Sequence, residues 1–552
     1  MMMRRAPREY FASFLSVLLL WGGLSALLSG SAPGASTGEG DEVGPGFDSI
    51  TEEEIQAHVK FLADPRMEGR DTPSEGQARA AVYLLEHYTK AKLEYPQDSQ
   101  LVIKENGEGG PDVEATGGSF YRPFRRELEA PDERGCSLSV ERKGERVEFK
   151  FGTDFVPIQR ANGTAEAELV FVGFGIDSSK EKYNDFKSQR VKDRIVLLFE
   201  GEPRHQKKFD GEEVSHAASL YGKLASLKEQ EVAGVLLVRR PASNEEENSD
   251  NLLDYRYGYA TFLGENIRGP KRPAKVPPTL NISMDCASAL LGLDAQKLAV
   301  GMDKAGRPKK LKLKDVKVTM GAATVRKPVR HDNLLGVLPG SDPELAKEYV
   351  LLGAHYDHIG VGPAGRVGCG ANDNGSGCAA FLEVLEALAQ SPPRRSILFA
   401  NFCGEEIGLI GSRELAKDLP VPKEDIVCMV NLDMIGFGDE KEVAVLGVKR
   451  NPKLESVLER AKAVKKTGLK SVVTGKGEDL WQRSDHYSFH EVGLPVLFFF
   501  EGLPISADKD YHTWRDTPDK VNYPKVTNTA RMVYNTVWIL ANDEQRPPAP
   551  RD

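Results

Sequence analysis

Four near-continuous apolar runs, Tyr349 to Ala354, Ile397 to Phe402, Ile426 to Leu432 and Val496 to Phe500, most constrain what this chain can fold into. Strands that show no polar alternation are buried on both faces, which occurs when helices cover both sides of a mostly parallel sheet. Amphipathic segments lie between the runs, Gly377 to Ala389, Leu409 to Leu419 and Leu454 to Val464. The alternation predicts an α/β fold with a largely parallel (mixed) sheet sandwiched by helices.

The ends of these runs carry the chemistry. His355, Asp357, Asp373, Glu405, Glu406 and Asp433 each stand at or just beyond the carboxyl end of a run, where open α/β sheets place their sites. Imidazole nitrogen and carboxylate oxygen together form a hydrolytic zinc donor set. Two such ions need a carboxylate able to span both. Asp373, in the glycine-rich loop Gly370-Ala371-Asn372-Asp373-Asn374-Gly375 directly before a helix, suits that position. His355 and Asp357 are two residues apart, so their side chains leave on one face, His355 as ligand and Asp357 as the acceptor that orients it. The adjacent Glu405 and Glu406 diverge, which separates a proton-moving base from a ligand. Taken singly, an Asp after a strand is usually a helix cap and a Glu-Glu pair a solvated helix start; the clustering of all of them in one α/β unit argues for a site. His358 and His490 read as structural or surface histidines.

With 552 residues the chain exceeds one ordinary core, and roughly three domains are expected. A net charge of −9 offers no broad basic surface, which disfavours nucleic acid as a partner. Arg4, Arg5 and Arg8 precede an apolar stretch from Phe11 to Leu28 and then small residues, the order of a secretory signal. The expectation is a secreted or periplasmic protein with a signal peptide over residues 1–35. An uncleaved membrane anchor is the alternative, and no stable membrane association is expected if the signal is removed. Six scattered cysteines form neither a disulfide framework nor a Cys-x-x-Cys zinc site, although Cys369 and Cys378 flank Asp373.

A flexible linker over 36–48 precedes two helical segments. Thr51 with Glu54 reads as a capping box for the first, and Thr72 with Glu75, with Pro73 at the first helical position, for the second. The polar loop Met67 to Asp71 between them is either a plain connection or a reach toward a neighbouring site. From about 137 to 320 the pattern is β-rich, with runs at Leu169 to Phe174, Ile195 to Phe199 and Val235 to Val238, and one helix near Ala217 to Gln230. Leu311 to Val318 alternates with lysines and reads as a strand with a solvated face. The resulting division is 49–155 for the N-terminal part of the catalytic domain, 156–320 for an insertion, 321–541 for the catalytic domain and 542–552 for a disordered tail.

Five segments, taken in order, resemble the co-catalytic di-zinc aminopeptidase family. They are Ala354-His355-Tyr356-Asp357-His358, Gly370 to Gly377, Gly404-Glu405-Glu406-Ile407-Gly408-Leu409 to Ser412, Asn431-Leu432-Asp433-Met434-Ile435-Gly436, and Tyr511-His512-Thr513 to Asp516-Thr517. The resemblance covers residues 330 to 540. It implies two Zn2+ ions, metal ligands His355, Asp373, Glu406, Asp433 and His512, Glu405 as general base, Asp357 orienting His355, and Tyr511 helping to stabilise an oxyanion. Ser484-Asp485-His486 resembles a further family motif with a supporting role. Val170 to Gly175, Asp193 to Leu198 and Ala233 to Leu237 resemble an inserted protease-associated domain. The implied activity is hydrolysis of the N-terminal peptide bond by a di-zinc-bound hydroxide, with peptides bearing a free N-terminus as partners. A glutamate-type carboxypeptidase, a glutaminyl cyclase and a receptor-like binding protein of the same fold are the competing expectations.

Overall fold

The computed structural model describes residues 43–96, 118–158, 162–205, 209, 218, 220–238, 240, 277–361, 367–464, 467–504, 507–508 and 510–547. The expected signal peptide lies outside the described residues, as do most of the linker and the end of the tail. Among the described residues no helix is long and apolar enough to cross a membrane.

The first sheet has eight strands: β1 (Tyr121–Pro131), β2 (Thr324–Leu338), β3 (Tyr349–His355), β4 (Ser396–Phe402), β5 (Ile426–Leu432), β6 (Glu442–Leu446), β7 (Ser471–Val473) and β8 (Val496–Phe500). Their spatial order is β1-β2-β4-β3-β5-β8-β6-β7. The centre, β4-β3-β5-β8, is parallel. β2 joins β4 antiparallel and β6 joins β8 antiparallel. The four apolar runs of the sequence are the four central strands.

Helices cover both faces, as the runs require. Alternate residues of β4 divide between them: Ile397 and Phe399 enter one core, Leu398, Ala400 and Phe402 the other. The first core is closed by α1 (Glu52–Leu62), α2 (Glu75–Lys90), α3 (Gly377–Gln390), α5 (Leu454–Ala463) and α6 (Tyr523–Asn542). The second is closed by α4 (Ile410–Lys417) and the short helix His486–Glu491. The chain is thus the mixed α/β fold that the alternation predicts.

Thr51 caps α1, its hydroxyl accepting from the N–H of Glu54. The cap of α2 differs from expectation. Ser74, not Thr72, accepts from the N–H of Gln77, and α2 begins at Glu75. The Thr72 hydroxyl is taken by the Gln77 side chain and by the N–H of Gly404, so it ties the helix entry to the Glu405 loop.

A second eight-stranded sheet is built from strands between Ser137 and Ala322. Gly163–Phe171, Ile195–Phe199, Gly234–Val238 and Thr279–Ile282 run parallel at its middle. Ser137–Arg142 and Glu145–Glu148 pair into this sheet and not the first, so it starts ahead of residue 156. Three helices of this region are described, Leu220–Glu229, Met284–Leu291 and Ala295–Ala305, where the sequence suggested one. The lysine-bearing strand begins at Val316, later than its alternation suggested. Lys312 and Lys314 precede it. All six cysteines are free, and Cys378 donates to the His355 carbonyl.

Candidate metal centre

β3, β4 and β5 are neighbours and parallel, so their carboxyl ends deliver His355, the Glu405-Glu406 pair and Asp433 to one edge of the sheet. The loop before α3 brings Asp373, and the loop before α6 brings Tyr511 and His512. All five ligands expected from the sequence meet. Nε2 of His355 lies 3.2 Å from Oδ1 of Asp433 and 3.4 Å from Oδ1 of Asp373. Nε2 of His512 lies 3.2 Å from Oδ2 of Asp373 and 2.8 Å from Oε2 of Glu406. The two oxygens of Asp373 therefore face different imidazoles. Buried Nε2 of His512 makes no hydrogen bond despite these short contacts. Its approach to the carboxylates is that of atoms converging on a common point, and the donor set of imidazole nitrogen and carboxylate oxygen fits zinc.

The Asp373 loop is held from several sides. Asp516 accepts from the N–H groups of Asn372 and Asp373 at 2.8 and 3.0 Å. Asn374 donates to the Leu432 carbonyl and accepts from the N–H groups of Gly377 and Met434, joining this loop to the one that follows β5. The Asp373–Asn374 peptide bond is cis. Gly370 has φ +60°, and a Cβ there would collide with the Asp373 carbonyl and the His358 ring, so only glycine fits the turn.

Asp357 is fully buried and faces His355 with both its carbonyl and its carboxylate. Nδ1 of His355 lies 3.2 Å from the Asp357 carbonyl oxygen and 3.6 Å from the carboxylate. The carboxylate also accepts from the N–H groups of Glu405 and Glu406, at 3.2 and 3.4 Å. Asp357 thus fixes the backbone from which the two glutamates diverge.

His358 is misjudged by sequence reasoning. It is 1% exposed, and its Nδ1 lies 2.7 Å from Oε1 of Glu406 and 3.8 Å from Oδ2 of Asp373. His355, Asp373 and Asp433 form one cluster of metal-competent side chains, and His358, Asp373 and Glu406 another. His490 lies away from the centre, against Trp481 and Tyr487. Arg70 is a second omission. From the Met67 to Asp71 loop its buried guanidinium donates to the carbonyls of Leu62, Tyr356, Cys369 and Gly370. That side chain clamps the His355 and Asp373 loops together. A polar loop between capped helices was the available signal, but one arginine meeting distant carbonyls leaves no periodic trace.

Electrostatics follow from burial. Burial acts to raise the Asp373 carboxyl, yet the imidazoles of His355 and His512 outweigh it and hold it well below the usual range. For His512, burial acts to lower the imidazole, and Glu406 and Asp373 outweigh it, raising its pKa to about 10. Burial pushes Glu405 well above the usual carboxylate range, against the pull of His355 and with Glu406 and Asp433 adding to the rise. Glu405 lines a pocket with Asp373, Asp433, Met434, Leu480, Arg483, Phe498, Phe500 and Tyr511. Tyr511 stacks on His512 with ring centroids 3.8 Å apart, and its hydroxyl accepts from Nη2 of Arg483 at 3.4 Å.

Residues 333–537 match the model of peptidase family M28. A probable leucine aminopeptidase of Trichophyton verrucosum is 29% identical over 223 residues, which cover 39% of this chain and 60% of that protein. Aminopeptidase YwaD of Bacillus subtilis is 29% identical over 206 residues, 36% of this chain and 43% of that protein. The chain thus spans about half the length of these relatives. Among solved structures, a zinc aminopeptidase from Bacillus subtilis is 19% identical with TM-score 0.55, over 90% of this chain and 96% of that one. An M28 peptidase precursor from Shewanella amazonensis is 16% identical with TM-score 0.56, over 92% and 98%. These likenesses extend the shared fold beyond the residues that the family model matches. The domain at residues 333–537, which carries the clustered histidines and carboxylates, is thus similar to peptidase family M28.

Proposed function

We propose that this protein is an exported zinc-dependent aminopeptidase that hydrolyses the first peptide bond of substrates with a free N-terminus. The observation that carries the reading is the placement of His355 and His512 against different oxygens of Asp373, with Glu405 in the adjoining pocket. His355, Asp433 and Asp373 would hold one zinc, and Glu406, His512 and Asp373 a second. Zinc bound there supplies a Lewis acid that polarises a carbonyl and lowers the pKa of water.

The chain's own groups do the rest. Glu405, whose carboxyl burial pushes up, takes the proton of the attacking water and passes it to the leaving nitrogen. Tyr511 reaches the same pocket and donates a hydrogen bond from its hydroxyl to the oxygen that gains charge. Asp357 holds the Glu405 backbone so that base and ligand keep separate directions. The names of the relatives support an aminopeptidase over the carboxypeptidase and cyclase alternatives.

Export rests on the basic, apolar and small-residue order of residues 1–35. The second sheet, at 137–322, is proposed to be a protease-associated module that restricts access to the pocket. Treating the protein with a chelator should abolish cleavage of leucyl p-nitroanilide, and added zinc should restore it. Full activity after the metal has been removed, verified by elemental analysis, would refute the reading.

A further inference from the structure

The pocket beside Glu405 has one basic lining residue. Asp373, Glu405 and Asp433 are acidic, Met434, Leu480, Phe498 and Phe500 are apolar, and Arg483 stands alone as a cation. Phe498 and Phe500 are alternate residues of β8, so they present their rings on one face of the strand. Among the described residues no carboxylate lies within ion-pair distance of Arg483. Its guanidinium donates to the Tyr511 hydroxyl, an uncharged acceptor that uses one of five donors. Arg483 is exposed at the pocket wall, where its guanidinium can meet an anion and repels a cation placed beside it.

We propose that Arg483 selects the N-terminal side chain by charge, so that the pocket accepts apolar and acidic residues and rejects lysine and arginine. The inference rests on the aminopeptidase reading. An apolar side chain packs against Met434, Leu480 and the two phenylalanines. Glutamate adds a carboxylate at the end of an apolar stem, within reach of the guanidinium. A lysine brings its ammonium to the same place and loses by repulsion.

The test uses the zinc-loaded full chain with leucyl, glutamyl and lysyl p-nitroanilides, which carry no carboxylate other than that of the side chain. Wild-type protein should cleave the leucyl and glutamyl substrates and show kcat/KM for glutamyl at least ~10-fold above lysyl, a modest separation for a charge that is partly solvated. Arg483→Glu should reverse the glutamyl-to-lysyl order, Arg483→Gln should bring the two close together, and Arg483→Lys should keep the wild-type order. An unchanged ratio in Arg483→Glu and Arg483→Gln, with leucyl cleavage retained, overturns the proposal and leaves the aminopeptidase reading standing. Equal loss on all three substrates in folded variants, judged by circular dichroism, also overturns it, since Arg483 would then act through Tyr511 alone. Wild-type protein that holds zinc and cleaves none of the three overturns the reading itself.

Discussion

Nδ1 of His358 lies 2.7 Å from Oε1 of Glu406, and this contact decides which oxygen of that glutamate is left for a metal. Oε2 faces His512 at 2.8 Å. A ligand carboxylate fixed through its other oxygen is pre-oriented, and removal of such a partner typically weakens metal binding ~10- to 100-fold. His358→Ala should therefore lower the affinity of one of the two zinc equivalents by about that factor while the other is retained. Titration of metal-free protein with zinc, followed by calorimetry, reads the two equivalents separately.

Arg70 joins helix α1 to both loops of the centre through four carbonyls, at 1% exposure. Arg70→Met fills similar space but leaves those carbonyls without their donor, each costing ~1–3 kcal/mol where no water can replace it. The expected loss is at least ~3 kcal/mol in denaturant unfolding. Arg70→Lys should recover little of it, because one ammonium cannot match the planar fork that serves four acceptors.

Two buried histidines outside the metal centre should contribute less stability in acid. Burial lowers His331 to about 4 and His486 to about 3, with nearby arginines assisting, while the unfolded imidazole titrates near 6.5. The folded pKa values are depressed, so the unfolded state binds protons first. The stabilisation is fully present above pH ~6.5 and is lost as pH falls toward 4 and 3. Glu386, held at about 2 by His87 and then Lys90, extends the loss downward from ~4.5. Between pH 7.5 and 4 the thermal midpoint of His331→Phe, which keeps an aromatic ring beside Phe124, should lose less on acidification than that of the wild-type protein.

Periodicity made the catalytic sheet legible. The four central strands and α3, α4 and α5 fall within a few residues of their apolar runs, because burial on both faces leaves no polar alternation to confuse the pattern. The clustering of His355, Asp373, Glu406 and Asp433 was legible for a related reason, since the strand ends of a parallel sheet converge on one edge, whereas His512 came only from the resemblance of its segment to the aminopeptidase family. The contacts of His358 and Arg70 were not. Their roles depend on side-chain directions over one or two residues, and on contacts spanning up to 300 positions such as that from Arg70 to Gly370. Thr72 was misread because its hydroxyl had a tertiary partner, Gly404, that no local rule contains. The second sheet was read as β-rich, but its parallel middle and extra helices were concealed by short strands and polar intervals.

Glu405 is assigned the proton and its neighbour Glu406 the metal, and a single variant separates the two roles. Glu405→Gln keeps the shape of the side chain and removes its ability to take a proton. Its zinc content and its kcat on leucyl p-nitroanilide should be measured on the same preparation. Two zinc ions per chain with kcat lowered by at least ~100-fold, the low end of what a positioned general base contributes, is the expected result. Two zinc ions with near-normal kcat would contradict the account.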